Sequence, residues 1–315
     1  QRAVAELVLA DTVVAAVEKV TGNTEQAGSS SDKVEHILQA VPNAREAVGK
    51  MLAFRQEVLT AQEVYMGVIK KKAYQNTTAF QLWATGHYKD DFGSRNGRDD
   101  IEDEARRIEP TLGVSVNLSP EALKAIMLSP PYRFKSIYEV SARTAMYDID
   151  RDREEVGMGI RTPSRLLCEP QPIYGAVMSA NGRDEYLGGA PGGYGALFVE
   201  LNTNNIKDRT VVIPRDSFFG PTQGFPVDFE HASEVVAVNN ITNAKYAEAQ
   251  ILGGVTASDI KTICIDKKMM PYLGDMIQGI RQAYPDLEIR EVDSSVAARS
   301  KQSVRSLRVS STALQ

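Results

Sequence analysis

Apolar residues recur at helical spacing through the first quarter of the chain. Val4, Leu7, Val8, Val13, Val14, Val17 and Val20 share one face and predict a helix over 2–21 that stops at Gly22. After the loop composition of 23–31, Asp32 and Glu35 have the spacing of a capping box. They open a second helix carrying Val34, Ile37, Leu38 and Val41 before Pro42. Val48, Met51, Leu52, Leu59, Val64 and Val68 predict the longest helix, from about Ala44 to Lys72. Its closing Lys70-Lys71-Lys72 reads as a solvated terminus that complements the helix dipole. Between Ala73 and Pro110 the period fades. Phe80, Leu82, Trp83 and Tyr88 suit a small satellite core, and Asp90–Asp100 reads as a turn-rich linker without calcium-loop spacing. Ser119 as N-cap and Pro120 as first helical residue start a short helix that ends by Pro130-Pro131.

Beyond Pro131 the pattern changes to short β-branched and aromatic runs punctuated by Gly, Pro and Asn. Strands are expected at Phe134–Val140, Ile173–Ser179, Gly195–Leu201, Thr210–Ile213, Glu234–Val238, Ala247–Leu252, Thr262–Ile265 and Leu287–Val292, with a helix over Met269–Ala283. Helices first and strands afterwards predict an α+β class. The expected organisation is a helical domain over 1–110, a mixed α+β domain over 111–293 with a mostly antiparallel sheet, and a Ser- and Arg-rich flexible tail over 294–315.

Composition narrows the function classes. A net charge of −5 argues against a bulk nucleic-acid binder, which needs a basic face to neutralise phosphates. No apolar run is long enough to span a membrane. Cys168 and Cys264 cannot build a disulfide framework, sit in apolar settings and read as buried inert thiols. His36, His87 and His231 fit no zinc spacing. The opening Gln1-Arg2-Ala3, without Met, is expected of a processed fragment, in which any targeting segment could have been removed.

Four stretches carry candidate chemistry. In Lys135–Thr144, strand alternation would bring Glu139, Ser141 and Arg143 to one face or its exit. Gly188–Gly195 lacks the order of a dinucleotide fingerprint and reads as a hairpin connection. Arg209–Ser217 with Gly220–Gly224 could close over a ligand or form a surface loop. The fourth is Tyr246–Val255, strand then Gly253-Gly254 turn, leading to a second strand at Thr262–Ile265. Glu248 stands inside that first strand, where acidic residues are disfavoured and rarely buried without a reason. An edge-strand Glu facing water is the alternative.

The run Tyr246-Ala247-Glu248-Ala249-Gln250-Ile251-Leu252-Gly253-Gly254-Val255, followed by Asp259-Ile260 and Ile263, resembles the closing strand of the ADP-ribosyltransferase superfamily. The DNA-targeting toxins of the DarT type are similar in form. Lys135–Arg143, Pro172–Ala176, Arg209-Thr210 and Gly220-Pro221 extend the resemblance, over about 130–293, to a bacterial family of uncharacterised domains of that fold. The chain departs from the superfamily pattern in two ways. The first strand has no Leu-Tyr-Arg-Gly and no Ser-Thr-Ser follows. Of the Glu-x-Glu pair only one member is present, because Tyr246 and Gln250 flank Glu248.

The resemblance implies NAD as co-substrate and a macromolecular, protein-type target. It also implies a secreted bacterial effector or toxin acting in a host or target-cell cytoplasm. A non-catalytic interaction protein on a degenerate version of the same scaffold is the alternative. Glu248 would stabilise the oxocarbenium-like ribose formed as nicotinamide leaves. Arg143, with Arg133 as the second candidate, would hold the pyrophosphate, Ser141 would line the same subsite, and Tyr174 or Tyr194 would stack on nicotinamide. Glu139 is the candidate second carboxylate, and Glu139 with Glu248 would also suit a different transferase or hydrolase.

Overall fold

Aliphatic residues at alternate positions need a neighbouring strand to bury them, and here they are buried in a single eight-stranded sheet. The computed structural model describes residues 44–87, 97–129, 132–134, 172–178, 197–214, 225–242 and 247–293. In chain order the elements are α1 (Ala44–His87), α2 (Gly97–Ile108), β1 (Gly113–Leu118), α3 (Pro120–Leu128), β2 (Ile173–Met178), β3 (Leu197–Leu201) and α4 (Thr203–Ile206). There follow β4 (Thr210–Pro214), β5 (Val227–Asp228), α5 (Ala232–Ile241), β6 (Ala247–Ile251), β7 (Ile260–Asp266), α6 (Gly274–Ala283) and β8 (Glu288–Val292). The strand order is β5-β4-β6-β2-β1-β3-β7-β8. β1–β2, β1–β3, β3–β7, β4–β5 and β4–β6 pair antiparallel, and β7–β8 pair in parallel. The parallel pair is joined by α6, as a parallel connection requires a crossover. A helical N-terminal part followed by a mostly antiparallel sheet makes the chain α+β.

The chain divides into two compact units that interleave along the sequence. Unit 1 comprises Gln1–Tyr65, Lys124–Ile173 and Leu252–Ala257, and unit 2 comprises Met66–Leu123, Tyr174–Ile251 and Ser258–Gln315. The expected boundary at residue 110 falls inside unit 2.

In unit 2, register places the side chains on the two faces of the sheet. Val116, Val199, Ile263 and Ile289 lie opposite one another across β1, β3, β7 and β8 and make an aliphatic row. The adjacent row on the other face is Ser115, Glu200, Thr262 and Glu288. Met66, Ile69, Ala73, Phe80 and Ala84 are buried at three- and four-residue steps along α1, which is why this stretch is helical. Ile101, Ala105 and Ile108 do the same for α2, whose Asp99 and Asp100 in the first turn and Arg106 and Arg107 in the last match the helix dipole.

In unit 1, the chain after β6 turns through Gly253 and Gly254, both at φ 76°, a left-handed conformation that side chains disfavour. The Gly253 amide donates to Oε1 of Gln62 on α1. Arg133 and Thr256 form an isolated antiparallel bridge, with Phe134 N to Val255 O and Ala257 N to Tyr132 O each 2.8 Å.

Several expectations are corrected. Glu234–Val238 is part of helix α5, because its valines are buried on every side and tertiary packing outweighs β-propensity. The long helix continues to His87, so Lys70–Lys72 form an exposed mid-helix face rather than a terminus; Lys70 Nζ lies 3.8 Å from Asp208 Oδ1. Gly97–Asp100, read as linker, is the first turn of α2. Strands β1 and β5 were not expected. The Met269–Ala283 helix is a 3₁₀ turn (Met270–Tyr272) followed by α6. The expected helices over 2–21 and 32–41, the 135–140 part of the Phe134–Val140 strand, and the tail at 294–315 lie outside the described residues.

Gly175 tests the close approach of β2 to β1. A Cβ there would lie 2.4 Å from the Ser115 carbonyl oxygen and 3.2 Å from Val116 Cγ2. Gly175→Ala is expected to destabilise the chain by about 1–3 kcal/mol, the usual cost of overpacking. A denaturant midpoint equal to wild type would refute the tight contact.

Candidate functional site

Strand β6 sits between β4 and β2, and all five of its residues are buried. Its alternation sends Ala247, Ala249 and Ile251 to one face and Glu248 and Gln250 to the other. Glu248 is only 3% exposed, so the alternative of a water-facing edge-strand Glu is corrected. A buried carboxylate needs a donor, and Gln250 Nε2 donates to Glu248 Oε1 at 3.1 Å. Ile213 stands opposite Glu248 and Val211 opposite Gln250, giving the pair an apolar lateral wall.

Asp228 extends the same row. It pairs with Val211 on the side away from β6, so Asp228, Val211 and Gln250 share one face across β5, β4 and β6. His231 Nδ1 lies 2.6 Å from Asp228 Oδ1; the Asp side chain is 7% exposed and the His side chain 26%. Asp228 stands at the N-cap of the 3₁₀ turn Phe229–His231 but makes no capping bond with its side chain. Nearby, burial pushes the Glu234 carboxyl above its usual range, opposed by the Ser233 hydroxyl that donates to it at 3.1 Å and by His231.

A second polar cluster lies on β3, β7 and β8. Arg290 Nη2 donates to Oε1 of the buried Glu200 and, at 3.2 Å, to Cys264 Sγ. Thr262 Oγ1 donates to Glu288 Oε2 at 2.9 Å. Burial pushes the Cys264 thiol up to about 11, against the opposing pull of Arg290. Such a thiol is not a nucleophile at neutral pH, which matches the inert reading. Arg209 and Asp259 form a third contact, 3.2 Å apart, where burial lowers the guanidinium pKa and the carboxylate raises it. Asn202 N donates to Asp259 O at 2.7 Å, so this pair ties the approach to β4 to the turn before β7.

Of the residues singled out from sequence, Glu248 and Tyr174 lie in unit 2 on neighbouring strands β6 and β2, Tyr174 being half-buried. Arg133 lies in unit 1, where its Nη1 donates to the Phe134 carbonyl at 3.1 Å. Glu139, Ser141, Arg143 and Tyr194 lie outside the described residues. Sequence reasoning missed Asp228 with His231, whose Asp-x-x-His spacing was the available signal, and Glu200 with Arg290, which only strand pairing brings together. Among the described residues no three His, Cys, Asp or Glu side chains gather as a metal site, and no helix is long and apolar enough to cross a membrane. No protein-family model and no curated protein matches the chain.

Cys264 gives a pH test. A thiol at about 11 when folded, against an ordinary value of about 8.5 when unfolded, keeps its full contribution to stability below the unfolded value. That contribution is lost as pH rises through the folded value. In a Cys168→Ala background, the remaining thiol should resist a disulfide reagent at pH 8 until denaturant unfolds the chain. Cys264→Ala should flatten the alkaline fall in stability, by roughly 3 kcal/mol at most. Rapid native-state labelling would show that the thiol is not buried as described.

Proposed function

We propose that the chain is an NAD-dependent ADP-ribosyltransferase in which Glu248 is the catalytic carboxylate. The observation that carries this reading is the burial of Glu248 in an inner strand. Taking a carboxylate out of water is costly, so its presence in an inner strand calls for a reason. The Gln250 amide donates to the carboxylate and fixes its orientation. Such a group suits a reaction whose transition state carries positive charge. Departure of nicotinamide leaves an oxocarbenium-like ribose, and a fixed anion in a low-dielectric setting stabilises it more than water can.

Tyr174, on the strand next to β6, is the described aromatic candidate for stacking on nicotinamide. The resemblance of Tyr246–Val255 to the closing strand of the superfamily supports the same assignment. Arg133 and Arg143 as pyrophosphate ligands, with Ser141, Tyr194 and Glu139 as further candidates, rest on the resemblance alone. A protein target and the role of a secreted effector belong to this proposal and rest on the resemblance alone.

The test is nicotinamide release from NAD by the full chain. Glu248→Gln preserves size and hydrogen-bonding capacity but removes the charge. It should lower turnover about 100- to 1,000-fold, the scale on which a preorganised electrostatic group contributes, while the melting temperature stays near that of wild type. Equal turnover in the two proteins removes Glu248 from the mechanism. No release by wild type leaves the carboxylate a structural group and favours the non-catalytic scaffold.

A further inference from the structure

We propose that the open edge of β8 is a strand-docking site and that the chain's own segment 299–305 adds to it as a further antiparallel strand, independently of the chemistry at Glu248. The sheet ends at β5 on one side and at β8 on the other. β5 has two residues, too short to template another strand, whereas β8 has five. Asp266 and Val292 are partners in the parallel pair, and the Lys267 amide donates to the Val292 carbonyl at 2.8 Å. Strand alternation therefore turns the N–H and C=O groups of Glu288, Arg290 and Val292 toward β7, and those of Ile289 and Glu291 away from it. Among the described residues no strand lies beyond β8, so the second set is open to an added strand.

Side-chain charge selects the occupant. Residues 286–293 carry Asp286, Glu288, Glu291 and Asp293 against Arg290, whose guanidinium is already engaged by Glu200. Glu288 and Glu291 are exposed. A second copy would set this acidic edge against itself, and like charges directly opposite destabilise a strand pair. Residues 294–315 hold Arg299, Lys301, Arg305 and Arg308 with no acidic residue, and no Gly or Pro that would weaken a strand. A short tether joins this segment to β8, which gives it an effective concentration on the order of millimolar that a free basic peptide lacks.

Charge also sets the register. A loop over 294–298 places Arg299 opposite Asp293, Lys301 opposite Glu291 and Ser303 opposite Ile289. Val292, Arg290 and Glu288 then face Ser300, Gln302 and Val304, so no like charges meet. A loop one residue shorter would set Lys301 opposite Arg290. In the favoured register the outward amides of Ile289 and Glu291 fall in the hydrogen-bonded pairs of the new ladder. The docked segment thereby covers the backbone groups that would otherwise template association with another chain.

The full chain is tested by hydrogen exchange read amide by amide by NMR. In wild type, Ile289 and Glu291 should exchange about tenfold or more slowly than in the double variant Arg299→Glu with Lys301→Glu, a scale suited to local opening at a sheet edge. Arg290 and Val292, which bond to β7, should be equally protected in both proteins and report that the sheet is intact. Fast exchange of Ile289 and Glu291 in wild type means an open edge and overturns the proposal. Protection that survives the charge reversal, or that rises with protein concentration, assigns the edge to another occupant and equally overturns it. Side-chain parity gives a second measurement should the reversed variant not fold. In a Cys168→Ala background, Glu291→Cys with Lys301→Cys should close an intramolecular disulfide with oxidised glutathione. It should do so about tenfold faster than Glu291→Cys with Gln302→Cys, because neighbouring strand residues point to opposite faces. Equal rates describe an unpaired segment and overturn the added strand.

Discussion

A carboxylate stays inside a sheet only where something donates to it, and β6 and β3 meet that requirement in different ways. On β6 the donor comes from the same strand, Gln250 to Glu248, two residues apart and therefore on the same face. On β3 the donor comes from two strands away, because Arg290 reaches Glu200 across β7 and touches Cys264 as it passes. The two solutions have different consequences. A guanidinium neutralises its carboxylate and makes a closed ion pair, a structural element. The Gln250 amide, two residues along the same strand, fixes the direction of its carboxylate.

Much of the sheet was legible in the sequence, for a physical reason. β2, β3, β4, β6, β7 and β8 are short runs of aliphatic, β-branched or aromatic residues bounded by turn formers, and each was anticipated within a few residues. β1, Gly113-Val114-Ser115-Val116-Asn117-Leu118, carries the alternation of a strand but was missed because it lies directly ahead of a helix cap and before the change of pattern at Pro131. α5 was read as a strand because Val235, Val236 and Val238 carry β-propensity, and a helix buried on all sides shows no amphipathic stripe. α2 was hidden by charge: three apolar residues in twelve are enough to anchor it, but they are surrounded by Asp, Glu and Arg.

The candidate site was legible only where the signal was an anomaly. Glu248 stood out because a charged residue in an apolar run conflicts with local propensity, and such conflicts collect at functional positions. The Asp228–His231 pair could not be found that way. Asp228 and His231 are ordinary loop residues in sequence, and their relation to Gln250 exists only through the pairing of β5 with β4 and of β4 with β6. Reading Glu234–Val238 as a strand also concealed the turn that brings His231 back onto Asp228.

The pairing of β4 with β6 carries one more implication, for change over generations. Neighbouring side chains on a strand point oppositely, so a shift of β6 by one position would exchange Glu248 and Gln250 for Ala247, Ala249 and Ile251. Insertions or deletions within these five residues therefore erase the charged face at a stroke, whereas substitutions alter it one side chain at a time. Descendants of this sequence can vary β6 in kind but not in count.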